Sequence, residues 1–102
     1  MCLVKFVWNE YRNGALITNF PYLAVEAIEF LRSVGVECIC VNTPSLDAET
    51  NPNLDNHKAF FRDGDNLIIE LIDATEIESG SYIVNIGLYP TDTDAFPVIV
   101  KC

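Results

Sequence analysis

Between Gly35 and Asn42 the run V-E-C-I-C-V is apolar at every position except Glu37. A strand with one face in water alternates apolar and polar residues, whereas a near-continuous apolar run suits a strand covered on both faces. A chain holding such a strand must also supply a layer to cover it. The residues just upstream provide one. From Pro21 to Gly35, Ala24, Ala27, Ile28 and Leu31 recur at helical spacing, with Leu23, Phe30 and Val34 widening the stripe. Glu26 and Glu29 lie near its start, where the helix dipole favours negative charge. Asn19 is a candidate N-cap, and Gly35 is placed to end the helix. Further upstream, C-L-V-K-F-V-W at Cys2–Trp8 reads as a strand. Strand, helix, strand in this order predicts a crossover onto one sheet.

Downstream, Asn42–Asn56 is a long polar connection, and long connections in compact domains are often functional. A short helix is expected near Asp55–Arg62 with Ala59 and Phe60 inward, then a strand over Asn66–Leu71. Asp73 is a candidate cap for a helical turn over Ala74–Glu78. Tyr82–Leu88 reads as a mostly buried strand, Thr91–Ala95 as a polar loop, and Phe96–Val100 as a last strand in which Pro97 favours an edge or bulge. Asn13-Gly14 marks a turn or hairpin. The expected architecture is one α/β layered domain over residues 1–102, a mixed β-sheet with packed helices.

Composition narrows the function. The chain has 102 residues and a formal charge of −9, with six Lys plus Arg against fifteen Asp plus Glu. Phosphate backbones and anionic lipid reward clustered cations, so nucleic acid and membrane surfaces are not expected partners. No apolar run approaches a transmembrane span and no signal peptide is visible, which makes the cytoplasm the expected location. Of four cysteines, Cys38 and Cys40 stand two apart in a strand and project from one face. C-x-C alone lacks the spacing of a zinc site, and reduced structural thiols are expected.

Two residues carry potential chemistry. His57 is the only histidine, and Glu70 interrupts the apolar run L-I-I-E-L. A carboxylate in such a run must be paired, protonated, exposed or bound to a cation, because burying a bare charge is very costly. His57 and Glu70 read either as two metal ligands or as a hydrogen-bonded structural pair. For His57 alone, hydrogen bonding at the Asp55–Asn56 loop is a third possibility; for Glu70, it is the exposed face of an edge strand. Thr43 and Ser45 are expected to shape the turn after Val41, with Pro44 presetting it; substrate contact is a second reading. Trp8, Tyr11, Phe60 and Phe61 read as core or as walls of an aromatic pocket. Nucleotide-phosphate loops and G-x-S-x-G are absent.

At V-N-T-P-S-L-D, H-K-A-F-F and L-I-I-E-L, together with G-S-Y-I-V-N-I-G-L-Y-P and D-A-F-P-V, the chain resembles the C-terminal half of the cyclase family. That family includes metal-dependent kynurenine formamidase. The resemblance implies a swivelling β/β/α fold and a dimer or tetramer. It implies metal-assisted amide hydrolysis with zinc or manganese, and assigns His57 and Glu70 as metal ligands, His57 being the catalytic candidate. This sequence departs from the pattern. The motif H-x-G-T-H-x-D of the family's N-terminal half is absent, Asn42 replaces the Asp of D-T-P-S, Leu71-Ile72 replaces N-L after I-E, and Ile99 replaces an Arg. A catalytic zinc keeps three protein ligands, and Asp47 or Asp55 would be an improvised third. The expectation is therefore a truncated relative without catalysis of its own and holding no metal when alone. It would act as a binding module or homo-oligomer, or as half of a hydrolase completed by another chain or a missing N-terminal segment. Met1 and an ending on a strand lean toward a complete gene product.

Overall fold

The computed structural model describes residues 1–8, 19–88 and 98–101, the last group and Leu88 largely by their backbone. Within them the chain forms β1 (Cys2–Val4), α1 (Val25–Ser33), β2 (Cys38–Val41), α2 (Asp55–Phe61), β3 (Leu67–Ile69), β4 (Asn85–Leu88) and β5 (Val98–Lys101). The first three strands make a parallel sheet in the order β1-β2-β3. β2 is central, with Leu3, Cys40 and Ile69 in register across it. The crossover expected from strand–helix–strand order is present, and α2 supplies a second. β4 and β5 pair antiparallel as a separate two-stranded sheet, so the described strands form two sheets and not one mixed sheet.

Alternation along β2 divides the sheet faces. Ile39 and Val41 join Ile28 of α1, Phe60 and Ala59 of α2, and Leu46 in one buried cluster, with Val4, Phe6 and Ile68 packed around it. Both helices therefore lie on this face. Each large side chain buried there contributes about 1.5–3 kcal/mol. Cys38 and Cys40 point to the opposite face.

Gly35 ends α1 as expected. Val36 N–H donates to Leu31 O (3.0 Å) and Gly35 N–H to Arg32 O (3.0 Å), with Gly35 at φ +91°. This double bond pattern needs the left-handed conformation that glycine adopts without a Cβ penalty. The helix start differs from expectation. It begins at Val25, with Ala24 before it making no side-chain cap, and Asn19 lies upstream at φ 56°, its N–H on Glu49 Oε2 (2.9 Å). The Leu23 carbonyl, which an earlier start would draw into the helix, accepts from Asn56 Nδ2 (2.7 Å).

Three further expectations are corrected. Asp73 caps only a turn: its Oδ1 accepts from Thr75 N–H (3.1 Å), and no helix follows. Tyr82 and Ile83 are exposed and extended pairing starts at Asn85, because nothing among the described residues pairs with 82–84. β1 stops at Val4, and Val7 is fully exposed. The expectations at Asn13-Gly14, Tyr11, Thr91–Ala95 and Pro97 lie outside the described residues. Among those residues no helix is long and apolar enough to cross a membrane.

Candidate functional site

The connection after β2 is tied down by its own polar side chains. Asn42, fully buried, accepts Phe6 N–H on Oδ1 (2.8 Å) and donates Nδ2 to Phe6 O (3.0 Å). Its amide thus extends the β1–β2 contact past the last paired residues. Thr43 Oγ1 donates to Ser45 O (3.0 Å), and Asp47 N–H donates to Ser45 Oγ (3.1 Å). Thr43 and Ser45 shape the turn that delivers Asp47.

Asp47 is the hub. It is almost wholly buried, and its Oδ1 accepts Asn56 N–H (2.6 Å) while Oδ2 accepts His57 N–H (3.0 Å). Those are orphan donors of the first turn of α2, which an N-cap side chain normally satisfies. Leu54 occupies the N-cap position in the left-handed region (φ 52°) and makes no such bond. Capping has passed to a residue upstream in the loop. Asn56 locks the arrangement by donating Nδ2 to Leu46 O (2.9 Å) as well as to Leu23 O.

His57 lies between two carboxylates. Nδ1 is 2.6 Å from Asp47 Oδ2, and Nε2 is 3.2 Å from Glu70 Oε1. Glu70 follows β3 directly, and strand alternation puts it on the helix side with Ile68. Its Oε2 accepts Leu46 N–H (2.9 Å), so it is neither a charge on an open strand face nor unpaired. The ladder ends just beyond it. Leu67 N–H donates to Glu37 O, and that series continued would place Leu71 N–H on Val41 O. Ile72 makes that bond instead (3.2 Å), while Leu71, at φ 58°, donates to Thr43 O (2.8 Å). One extra residue has entered the strand, a bulge of the kind found beside functional sites.

The hydrogen bond to Glu70 is the largest cause of a His57 pKa raised to about 9; burial works against it, and Asp47 adds to it. At neutral pH the ring is an imidazolium donating from both nitrogens. Phe61, one helical turn on, sets its ring 6.2 Å from the imidazole and is partly exposed. Phe60 is core, and Trp8 meets Phe20 edge-on.

His57, Glu70, Thr43 and Ser45 thus belong to one cluster, joined by Asp47; Asp55 instead accepts from Asn51 Nδ2 (3.0 Å) and stands apart. Among the described residues no group of three or more His, Cys, Asp or Glu could hold a metal ion. Geometry gives the reason: Asp47 and Glu70 contact opposite ends of the ring and do not converge. As a pair, Nε2 of His57 and Oε1 of Glu70 do suit a metal. Two ligands on one tetrahedral ion lie about 3.3 Å apart given bonds of about 2.0–2.1 Å, close to the observed 3.2 Å. A carboxylate on the far nitrogen is the usual support of a metal-bound histidine. The sequence did not reveal Asn56 as the clamp or Asp47 as the cap. The D-x-x-x-x-x-x-x-D-N-H spacing is too long for a local capping signal.

The fold and cluster define an α/β protein with a histidine–carboxylate centre at the ends of parallel strands. Similarity in sequence makes the class particular. The kynurenine formamidase of Bordetella avium is 35% identical over 81 residues, covering 78% of this chain and 38% of that protein. That of Bordetella pertussis is 32% identical over 91 residues, covering 85% and 43%. That of Bacillus cytotoxicus is 32% identical over 79 residues, covering 76% and 37%. The chain is homologous to part of these kynurenine formamidases and spans about two fifths of their length. No protein-family profile and no solved structure matches it.

Proposed function

We propose that this chain supplies part of a metal-dependent amide-hydrolysing site of the kynurenine formamidase kind, and hydrolyses nothing until other ligands join it. His57 and Glu70 are two of the ion's ligands. The rest come from a complementing chain or a further segment. The observation that carries the reading is the 3.2 Å approach of His57 Nε2 to Glu70 Oε1 with Asp47 seated on Nδ1.

Each residue has a task. Asp47 fixes the ring orientation and the tautomer that leaves Nε2 for the ion. Leu46 N–H holds Oε2 of Glu70, which keeps Oε1 toward the ring. Asn56 keeps loop and helix in register. A zinc or manganese ion held by His57 and Glu70 would supply a bound water of lowered pKa and a Lewis acid for the amide carbonyl. Two ligands fall short of the three a catalytic zinc keeps, which is why the chain alone is read as inactive. The β/β/α layering of the cyclase family belongs to the same reading. It is supported by helices on one face of the parallel sheet and an antiparallel pair apart from it.

The test uses the single histidine. Zinc titrated into the full chain should displace the His57 proton and shift its ring resonances, with affinity lowered roughly tenfold or more in Glu70→Ala. An aryl formamide should stay intact with the chain alone. Ring resonances indifferent to millimolar zinc would remove the metal role and leave a non-catalytic binding module. Hydrolysis by the chain alone would refute its incompleteness.

A further inference from the structure

The helix-free face of the parallel sheet carries chemistry that the histidine site does not use. Ile39 and Val41 are spent on the core beneath α1 and α2, so Cys38 and Cys40 project the other way. β2 is the central strand, and its backbone is fixed by pairing on both sides. Cys40 is fully buried and Cys38 partly so. Strand alternation sets the two thiols side by side on this face; burial raises the Cys38 pKa, and the neighbouring Cys40 thiol partly offsets that rise. The Sγ of Cys40 is 3.6 Å from the thioether Sδ of Met1. Cys38, Cys40 and Met1 thus bring three sulfur atoms to one face of the sheet. Met1 also forms part of the wall of a groove of about 1010 Å³ with Leu3, Lys5 and Tyr82, so the Met1 end of the row borders solvent.

We propose that Cys38, Cys40 and Met1 form a binding site for a monovalent copper ion. Thiolate and thioether donors are soft and select copper(I) over hard cations such as magnesium or calcium. A tetrahedral zinc site would need a fourth ligand and favours nitrogen or thiolate over thioether. Binding replaces the two S–H bonds with two S–Cu bonds and releases two protons, while the thioether donates a lone pair and loses nothing. The oxidation state of copper does not change. This site goes beyond the proposed hydrolase role and lies on the opposite face of the sheet from α2, so the two can be tested separately.

The experiment is an anaerobic titration of the reduced full chain with copper(I) against the competing chelator bicinchoninate. One copper should bind per chain with release of two protons, and X-ray absorption should show three sulfur neighbours. Bound copper should also protect Cys38 from alkylation. Cys38→Ser, at a partly exposed position, should lose the competition with the chelator while keeping the fold by circular dichroism. Cys2→Ser, on the other face, should bind as the native chain does. Copper held equally well by Cys38→Ser, loss caused instead by Cys2→Ser, or a two-coordinate absorption spectrum would each overturn the site.

Discussion

The titration of His57 offers a direct check on the whole cluster, because no other histidine contributes a signal. Its folded-state pKa of about 9 stands above the ordinary 6.5. Between these values the folded chain holds a proton that the unfolded chain has released, so stability falls as pH rises. The contribution is fully present below about pH 6.5 and is lost as pH passes through about 9. The rise corresponds to about 3 kcal/mol at roughly 1.4 kcal/mol per pH unit, and water reaching the partly exposed ring reduces it to about 2 kcal/mol. That is a large share of the ~5 kcal/mol expected for a small domain. Glu70→Gln removes the largest cause of the shift. It should lower the pKa seen in the ring-proton NMR titration and flatten the fall in urea-unfolding free energy from pH 6 to pH 9. A native His57 titrating at or below 6.5, or a Glu70→Gln variant with the native pKa, would refute the reasoning.

The remaining predictions concern the frame around the site. Asn42→Asp keeps the acceptor for Phe6 N–H but sets a carboxylate against Phe6 O, and should cost about 2–4 kcal/mol in denaturant unfolding; an unchanged midpoint would remove the clamp from the account. Leu71→Gly relieves a left-handed leucine whose side chain is already exposed, so the chain should gain about 0.5–1 kcal/mol after the entropy cost of glycine, read as a higher melting temperature. Phe60→Ala should lose about 3–5 kcal/mol, and Phe61→Ala distinctly less, by the same unfolding assay. Equal losses would contradict the assignment of only Phe60 to the core.

Much of the parallel sheet was legible because local pattern and tertiary role agree there. V-E-C-I-C-V is apolar at all positions but Glu37, and the central strand it forms buries Ile39, Cys40 and Val41; Gly35 is where the helix needs a left-handed residue. The α1 start was misread because Asn19 suits a cap chemically, yet the Leu23 carbonyl is taken by a side chain more than thirty residues downstream. The stretch 82–84 alternates like a strand but has no partner strand among the described residues, and pattern alone does not report pairing. Within the site, His57 and Glu70 stood out as polar residues in apolar surroundings. The roles of Asp47 and Asn56 depend on loop geometry that no periodicity encodes. Leu71 carries a related lesson. Where the resemblance to the cyclase family leads one to expect Asn after I-E, a residue tolerant of positive φ, this chain has Leu71 at φ 58°.

The order β1-β2-β3 bears on how the molecule comes together. Cys38 pairs with Leu67 and Cys2 with Ile39, contacts separated by roughly thirty residues or more, and no hairpin joins any two strands of this sheet. Each pairing must close a long loop before any ladder bond compensates the lost chain entropy. High contact order of this sort slows the search, and it leaves the apolar edge of β2 exposed to other chains while α1 and α2 are already able to form. During that interval synthesis rate, temperature and protein concentration, more than final stability, decide the yield of native molecules.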